Sequence, residues 1–232
     1  CDERITDPFA KSFITYARDF LTYITADETR APLDFFSWHI YTGSADEVAA
    51  CALYCREMLD SFGLTGAESI LDEWNYNVPD STGGKFRKSM KAAAFDAEVL
   101  VRLQKLPVDV AAYYDAQVKL ISYCGLFNEY TAAPEKPYYA FLAFDRVKQY
   151  GEPVASCDGD GLYTLASSSR DGFMLMITNN TDGPKTVDIE CGAKTARIRT
   201  LDRDHDLTET AVIQAPVTLS VGAPSVTLIE LT

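Results

Sequence analysis

The hydrophobic pattern of this chain changes period once, near Gly151-Glu152-Pro153, and that change limits what each half can fold into. Before it, long helical patterns alternate with short apolar runs, which predicts βα units and a parallel sheet. After it, helical periodicity vanishes. Short runs at 162–167, 173–179, 186–190, 196–201 and 226–231 alternate or stay apolar between Gly, Asn and Asp turns. That spacing predicts an antiparallel β-sandwich. The expected division is therefore 1–150 and 151–232, an α/β part followed by an all-β part.

Within the first part, residues 8–26 open on Pro8 and carry Phe13, Tyr16, Ala17, Phe20, Leu21 and Ile24 at helical spacing. The aromatics Phe9, Phe13 and Phe20, with Phe141, are expected in the core. Pro32 breaks the pattern and 33–41 reads as a strand. Ser44 or Asp46 can cap the next helix, which ends at Gly63. A strand at 69–74, a helix over about 86–104, a strand at 108–114 and a helix from Lys136-Pro137-Tyr138 to Tyr150 complete the series.

Charge narrows the partners. The 21 basic and 34 acidic side chains leave a net charge of −13, with no basic stripe to meet nucleic acid or an anionic membrane. No run reaches the ~18 apolar residues of a membrane helix, and no signal-peptide pattern is visible. A soluble chain is expected. It begins Cys1-Asp2-Glu3 without methionine, which leaves its compartment open. Six cysteines lack metal-ligand spacing; Cys51 and Cys55 share a helix face, but His39 and His205 are the only histidines. Neither metal nor organic cofactor is expected. Asp158-Gly159-Asp160-Gly161 reads as a hairpin turn rather than a calcium loop, and Asn179-Asn180-Thr181 as a turn.

The chemistry concentrates at Ile70-Leu71-Asp72-Glu73-Trp74-Asn75, an apolar run ending in a carboxylate, an indole and an amide. Buried parallel strands look this way where they end at a site. A glutamate there suits attack on a sugar, opposite an oxocarbenium-like transition state, and the Trp74 ring suits either a pyranose platform or the core. Alternation turns Asp72 to the other face of the strand from Glu73.

Taken in order, four strings resemble the C-terminal half of a retaining glycoside hydrolase of the (β/α)8 clan, the family 39 β-xylosidases and their relatives in particular. They are residues 32–41 (Pro-Leu-Asp-Phe-Phe-Ser-Trp-His-Ile-Tyr), 70–75, 108–115 and 136–141. The stretch 199–206 also resembles a turn of that family's terminal β-domain. The resemblance implies the last three strands of a barrel with their helices, then a β-sandwich. It makes Glu73 the nucleophile, with Tyr41 donating to it and His39 lining the sugar pocket. Trp74, Asn75, Tyr114 and Asp115 would contact substrate at the same rim. The family's acid/base, an Asn-Glu pair after the fourth strand, has no counterpart here, because Asn128-Glu129 follows the last strand. The implied partners are a carbohydrate and, to cover an open sheet edge, a missing N-terminal half-barrel or a second copy. The alternative is a non-catalytic carbohydrate-binding or assembly module built on a half barrel.

Overall fold

The computed structural model describes residues 8–79, 84–118, 123–190 and 192–232, without side chains for 8–11. Its class is mixed α/β. The chain divides into two compact units. One comprises Cys1–Ile40, Asp46–Trp74 and Leu106–Ala112, and the other Tyr41–Ala45, Asn75–Lys105 and Tyr113–Thr232.

A three-stranded sheet of order β1-β2-β3 is built from β1 (Phe35–Thr42), β2 (Glu68–Tyr76) and β3 (Val110–Tyr113). The Glu68 amide donates to the Asp34 carbonyl, and the Asn77 amide to the Thr42 carbonyl, both at 2.9 Å. Both chains advance together between these bonds, so β1 and β2 run parallel. The helix α2 (Ala45–Ser61) connects them, as a parallel pair requires.

In the first unit, α1 (Pro8–Thr25) buries Leu21 and Ile24 against Met58 and Leu59 of α2, with Ala17, Phe36 and Tyr54 around them. Leu21 and Leu59 are fully buried. The expected aromatic core of α1 is not formed: Phe13 and Phe20 are exposed, at 59% and 38%. The aliphatic stripe one face over takes the contact with α2 instead, leaving the rings outside; the Phe9 side chain lies outside the described residues. The end of α2 follows the expected stop. Gly63 takes φ 75°, its amide donates to the Asp60 carbonyl at 2.9 Å, and the Leu64 amide donates to the Leu59 carbonyl at 3.0 Å. This paired closure satisfies two carbonyls that the helix would leave orphaned. Arg56 secures the following loop by donating to the Ala67 and Leu64 carbonyls at 2.7 and 2.8 Å.

In the second unit, the helix expected over 86–104 is broken. A 3-10 turn at Lys85–Lys88 precedes Ser89, which is extended and accepts from the Ala92 amide at 3.2 Å to cap α3 (Met90–Leu103). Helix α4 (Lys136–Tyr150) starts with proline in its first turn, where no amide hydrogen is missed. Eight strands follow: β4 (Glu152–Val154), β5 (Leu162–Ser169), β6 (Gly172–Asn179), β7 (Lys185–Ile189), β8 (Thr195–Leu201), β9 (Asp206–Gln214), β10 (Val217–Val221) and β11 (Ser225–Leu231). They form a six-stranded antiparallel sheet, β4-β5-β6-β11-β8-β9, and a pair, β10-β7. Period-two alternation gives the larger sheet two buried faces. Met174, Met176, Val226 and Leu228 pack with Ala93, Ala97, Ala140 and Ala143 of α3 and α4. Ile177, Ile198 and Ile229 pack with Val217 and Val221 of β10.

Candidate active site

In the first unit, β1 alternates cleanly. Phe36 joins the core and Trp38 is buried, its indole Nε1 donating to the Ser69 hydroxyl at 3.0 Å, while Phe35 and His39 are exposed. The His39 imidazole meets both carboxylates in the second half of β2: Nε2 lies 3.0 Å from Asp72 Oδ1, and Nδ1 lies 3.5 Å from Glu73 Oε2. All three side chains remain between about a third and a half exposed. The expectation that Asp72 turns away is therefore corrected. Alternation sets where Cβ leaves the strand, but the side chain beyond it can still swing to the His39 ring at the strand's part-exposed rim. Glu73 sits where a reagent from solvent can reach it, and a ring nitrogen is within reach to orient it. Trp74, by contrast, is 1% exposed, so its ring is core packing and not a surface open to a sugar.

In the second unit, the next residue along β2 organises a buried polar cluster. Asn75 is 1% exposed. Its amide nitrogen donates to the Tyr114 carbonyl at 2.6 Å and the Tyr123 carbonyl at 3.0 Å, and its oxygen accepts from the Tyr113 hydroxyl at 3.1 Å. Carbonyls only accept, so the amide orientation is dictated by its neighbours. Asp96 is fully buried on α3 beside Tyr113, and neither of its carboxyl oxygens has a hydrogen-bond partner among the described residues. Burial pushes its carboxyl well above the usual carboxylate range, which the nearby Tyr113 hydroxyl only partly opposes. Burial, with Asp96 and Cys124 nearby, also pushes the Tyr113 phenol well up.

Arg87 lies between the Phe86 and Tyr123 rings, at 4.5 and 4.6 Å from their centroids, and donates to Asn77 Oδ1 at 2.6 Å. Tyr123 also meets Tyr41 and Tyr114 edge-on, at 5.5 and 5.6 Å between centroids. Asp115 is 8% exposed, and its Oδ1 has no hydrogen-bond partner among the described residues. Asn75 thus ties the segment after β3 to the end of β2 rather than facing solvent. Asn128 shapes a turn, accepting from the Tyr130 and Thr131 amides at 3.1 Å, and Glu129 pairs with Lys88. Sequence reasoning did not reach Asp96, Arg87 or Tyr123. A lone aspartate in a run of alanines is the signal that could have found Asp96, since helix interiors do not bury carboxylates without a partner.

Among the described residues no helix is long and apolar enough to cross a membrane, and no three His, Cys, Asp or Glu side chains are grouped to hold a metal.

No family model and no curated protein matches this sequence. Solved structures do match its fold. A glucosidase from Croceicoccus marinus superposes with a TM-score of 0.75 at 22% identity, over 92% of this chain and 56% of its own. A family 39 β-xylosidase from Caulobacter crescentus gives 0.68 at 15% identity, over 92% of this chain and 54% of its own. A family 30 endoxylanase from Clostridium papyrosolvens gives 0.56 at 11%, over 86% and 49%. The resemblance to glycoside hydrolases, family 39 β-xylosidases among them, is thus one of fold. The chain spans about half the length of the enzymes it matches.

Proposed function

We propose that this chain is the C-terminal part of a retaining β-glycosidase acting on xyloside-like substrates. It would comprise the last three strands of a (β/α)8 barrel within about residues 1–150 and a β-sandwich over 151–232. What carries the reading is the placement of Glu73: on the parallel strand β2, three residues before its end, part-exposed and 3.5 Å from the His39 ring, in a fold matched by glycosidases.

In the proposed reaction a Glu73 oxygen attacks the anomeric carbon as the glycosidic C–O bond breaks. A second carboxylic acid, ~5–5.5 Å away in such enzymes, protonates the departing oxygen. That group then takes a proton from water, which displaces Glu73 and regenerates its carboxylate. The His39 ring lies beside one Glu73 oxygen and leaves the other to attack. Asp72 Oδ1 lies 3.0 Å from the opposite ring nitrogen. Tyr41, Tyr114 and Asp115 are proposed to contribute substrate contacts. The acid is proposed to come from a half-barrel outside these residues, and the carbohydrate and that half-barrel are the proposed partners; a second copy of the chain is the alternative cover for the open sheet.

Alone, the purified chain is expected to release no 4-nitrophenol from 4-nitrophenyl β-xyloside above the Glu73→Gln variant. Substantial hydrolysis that survives Glu73→Gln would overturn the assignment. Sugar binding with no labelling of Glu73 and no sensitivity to that substitution would favour a non-catalytic module.

A further inference from the structure

The Tyr113 hydroxyl has one proton, and two acceptors stand beside it. Asn75 Oδ1 takes the hydrogen bond at 3.1 Å. The other is the carboxyl of Asp96 on α3, 0% exposed, with neither oxygen partnered among the described residues. Asn75 Oδ1 can only accept, so the phenol proton points to it and the phenol oxygen is left as an acceptor. A neutral Asp96 has a proton to offer that oxygen. An ionised Asp96 has none, and competes for the phenol proton instead. Among the described residues no cation pairs with Asp96. Arg87 and Cys124 act on Tyr113, but the Arg87 guanidinium is held between two rings and donates to Asn77. Helix α4 and the larger sheet meet α3 through Ala140, Ala143, Met174, Met176 and Leu228, and the Thr178 hydroxyl is engaged by the Ala94 carbonyl at 3.2 Å.

We infer that the Tyr113 hydroxyl is a two-position switch, donating to Asn75 while Asp96 is neutral and to Asp96 once it is ionised, and that its position sets how firmly the segment after β3 is held. The switch acts through Asn75. That amide donates to the Tyr114 carbonyl at 2.6 Å and the Tyr123 carbonyl at 3.0 Å, and the Asp115 amide donates to the same Tyr123 carbonyl at 3.4 Å. With the phenol proton turned to Asp96, Asn75 Oδ1 becomes a buried acceptor without its donor, on a residue 1% exposed. Such a group is costly to leave unmet. Asn75 relieves the cost by moving toward water, which releases the two carbonyls. Burial holds the Asp96 carboxyl well above the usual carboxylate range. The hold is therefore present in acid and lost as pH rises through the folded value. Asp96 and Tyr113 are thus positioning residues for the backbone around Tyr114 and Asp115. The inference needs the buried cluster and not the hydrolytic reading, so the two fail separately.

The test follows the intact chain from pH 5 to pH 9 with two readouts. One is the Asp96 carboxyl carbon by NMR; the other is hydrogen exchange of the amides in 114–118 and 123–126, corrected for intrinsic rates. Protection of those amides is expected to fall about ten-fold or more across the range in which Asp96 ionises, while β6 and β11 keep theirs. Asp96→Asn cannot ionise and should hold the acid-side protection throughout. Tyr113→Phe has no proton to move and should show no step. Four results would overturn the proposal: a carboxyl that stays in one state from pH 5 to pH 9, ionisation without a change in these amides, the same step in either variant, or loss of protection by the whole chain together. The titration of the parent chain decides the matter even where a variant fails to fold.

Discussion

Replacing Asn75 separates hydrogen bonding from packing at the end of β2. Asn75→Ala removes two bonds donated to carbonyls and one accepted from Tyr113. A net ~1 kcal/mol per bond sets a range near 3 kcal/mol. Tyr123 is 37% exposed, so water can reach its carbonyl and return part of that loss. The expected destabilisation is about 2 kcal/mol by urea unfolding. Asn75→Asp has nearly the same shape but points an acceptor at two carbonyls. At pH 7 it should be worse than alanine by about 1 kcal/mol or more, and the gap should narrow at lower pH as the carboxyl gains a proton it can donate. An alanine variant within 0.5 kcal/mol of the parent, or an aspartate variant more stable than alanine at pH 7, would refute the orientation given to this amide.

Further outcomes follow from the same clusters. Because the folded Asp96 pKa is raised, its contribution is full below the ordinary value near 3.9 and is lost as pH rises toward the folded value, at about 1.4 kcal/mol per pH unit within that window. Asp96→Asn lacks this slope, so relative to the parent it should gain stability between pH 4 and pH 8 in parallel melts; a flat difference would show that Asp96 is ionised in the fold. Trp38→Phe keeps the buried ring but orphans the Ser69 hydroxyl, and should cost about 1 kcal/mol in unfolding; no change would mean that bond contributes nothing. Burial pushes the Cys55 thiol up to about 12, whereas Cys157 is exposed. Iodoacetamide mapping at pH 8 should therefore modify Cys157 well before Cys55, and the reverse order would contradict the packing of α2. Gly125→Ala would drive a methyl into the Tyr113 hydroxyl and should cost about 1–3 kcal/mol, with an unchanged melt arguing against that close approach.

The elements that were legible in the sequence are those with a single strong period. The helix ending at Gly63, the strand carrying Glu73 and the helix opening at Lys136-Pro137 fall where the pattern and the stop signals put them. Strands β4, β9 and β10 were not found. Residues 206–214 interleave Thr and Glu with few apolar partners, because much of β9 faces water. Four-residue β3 is almost entirely exposed, so its period carries little signal. Ser89 reads as an ordinary helix residue until its side chain is seen capping α3. At the site, Glu73 and His39 were legible because a strand end and a period-two face brought them forward. Trp74 misled because an aromatic beside a carboxylate reads the same on either face, and the structure turned it inward. The Asp96–Tyr113–Asn75 chain brings together residues 17 and 38 positions apart along the sequence, and pairings at that separation leave no local pattern.

The reading as a glycosidase stands on the nucleophile. The most direct measurement is peptide mapping by mass spectrometry after incubation with 2,4-dinitrophenyl 2-deoxy-2-fluoro-β-xyloside, whose leaving group departs without an acid. A fluoroxylosyl adduct on the peptide containing Glu73, absent from the Glu73→Gln variant, is the predicted result. An adduct on Asp72, Asp115 or another carboxylate with Glu73 unmodified would contradict it.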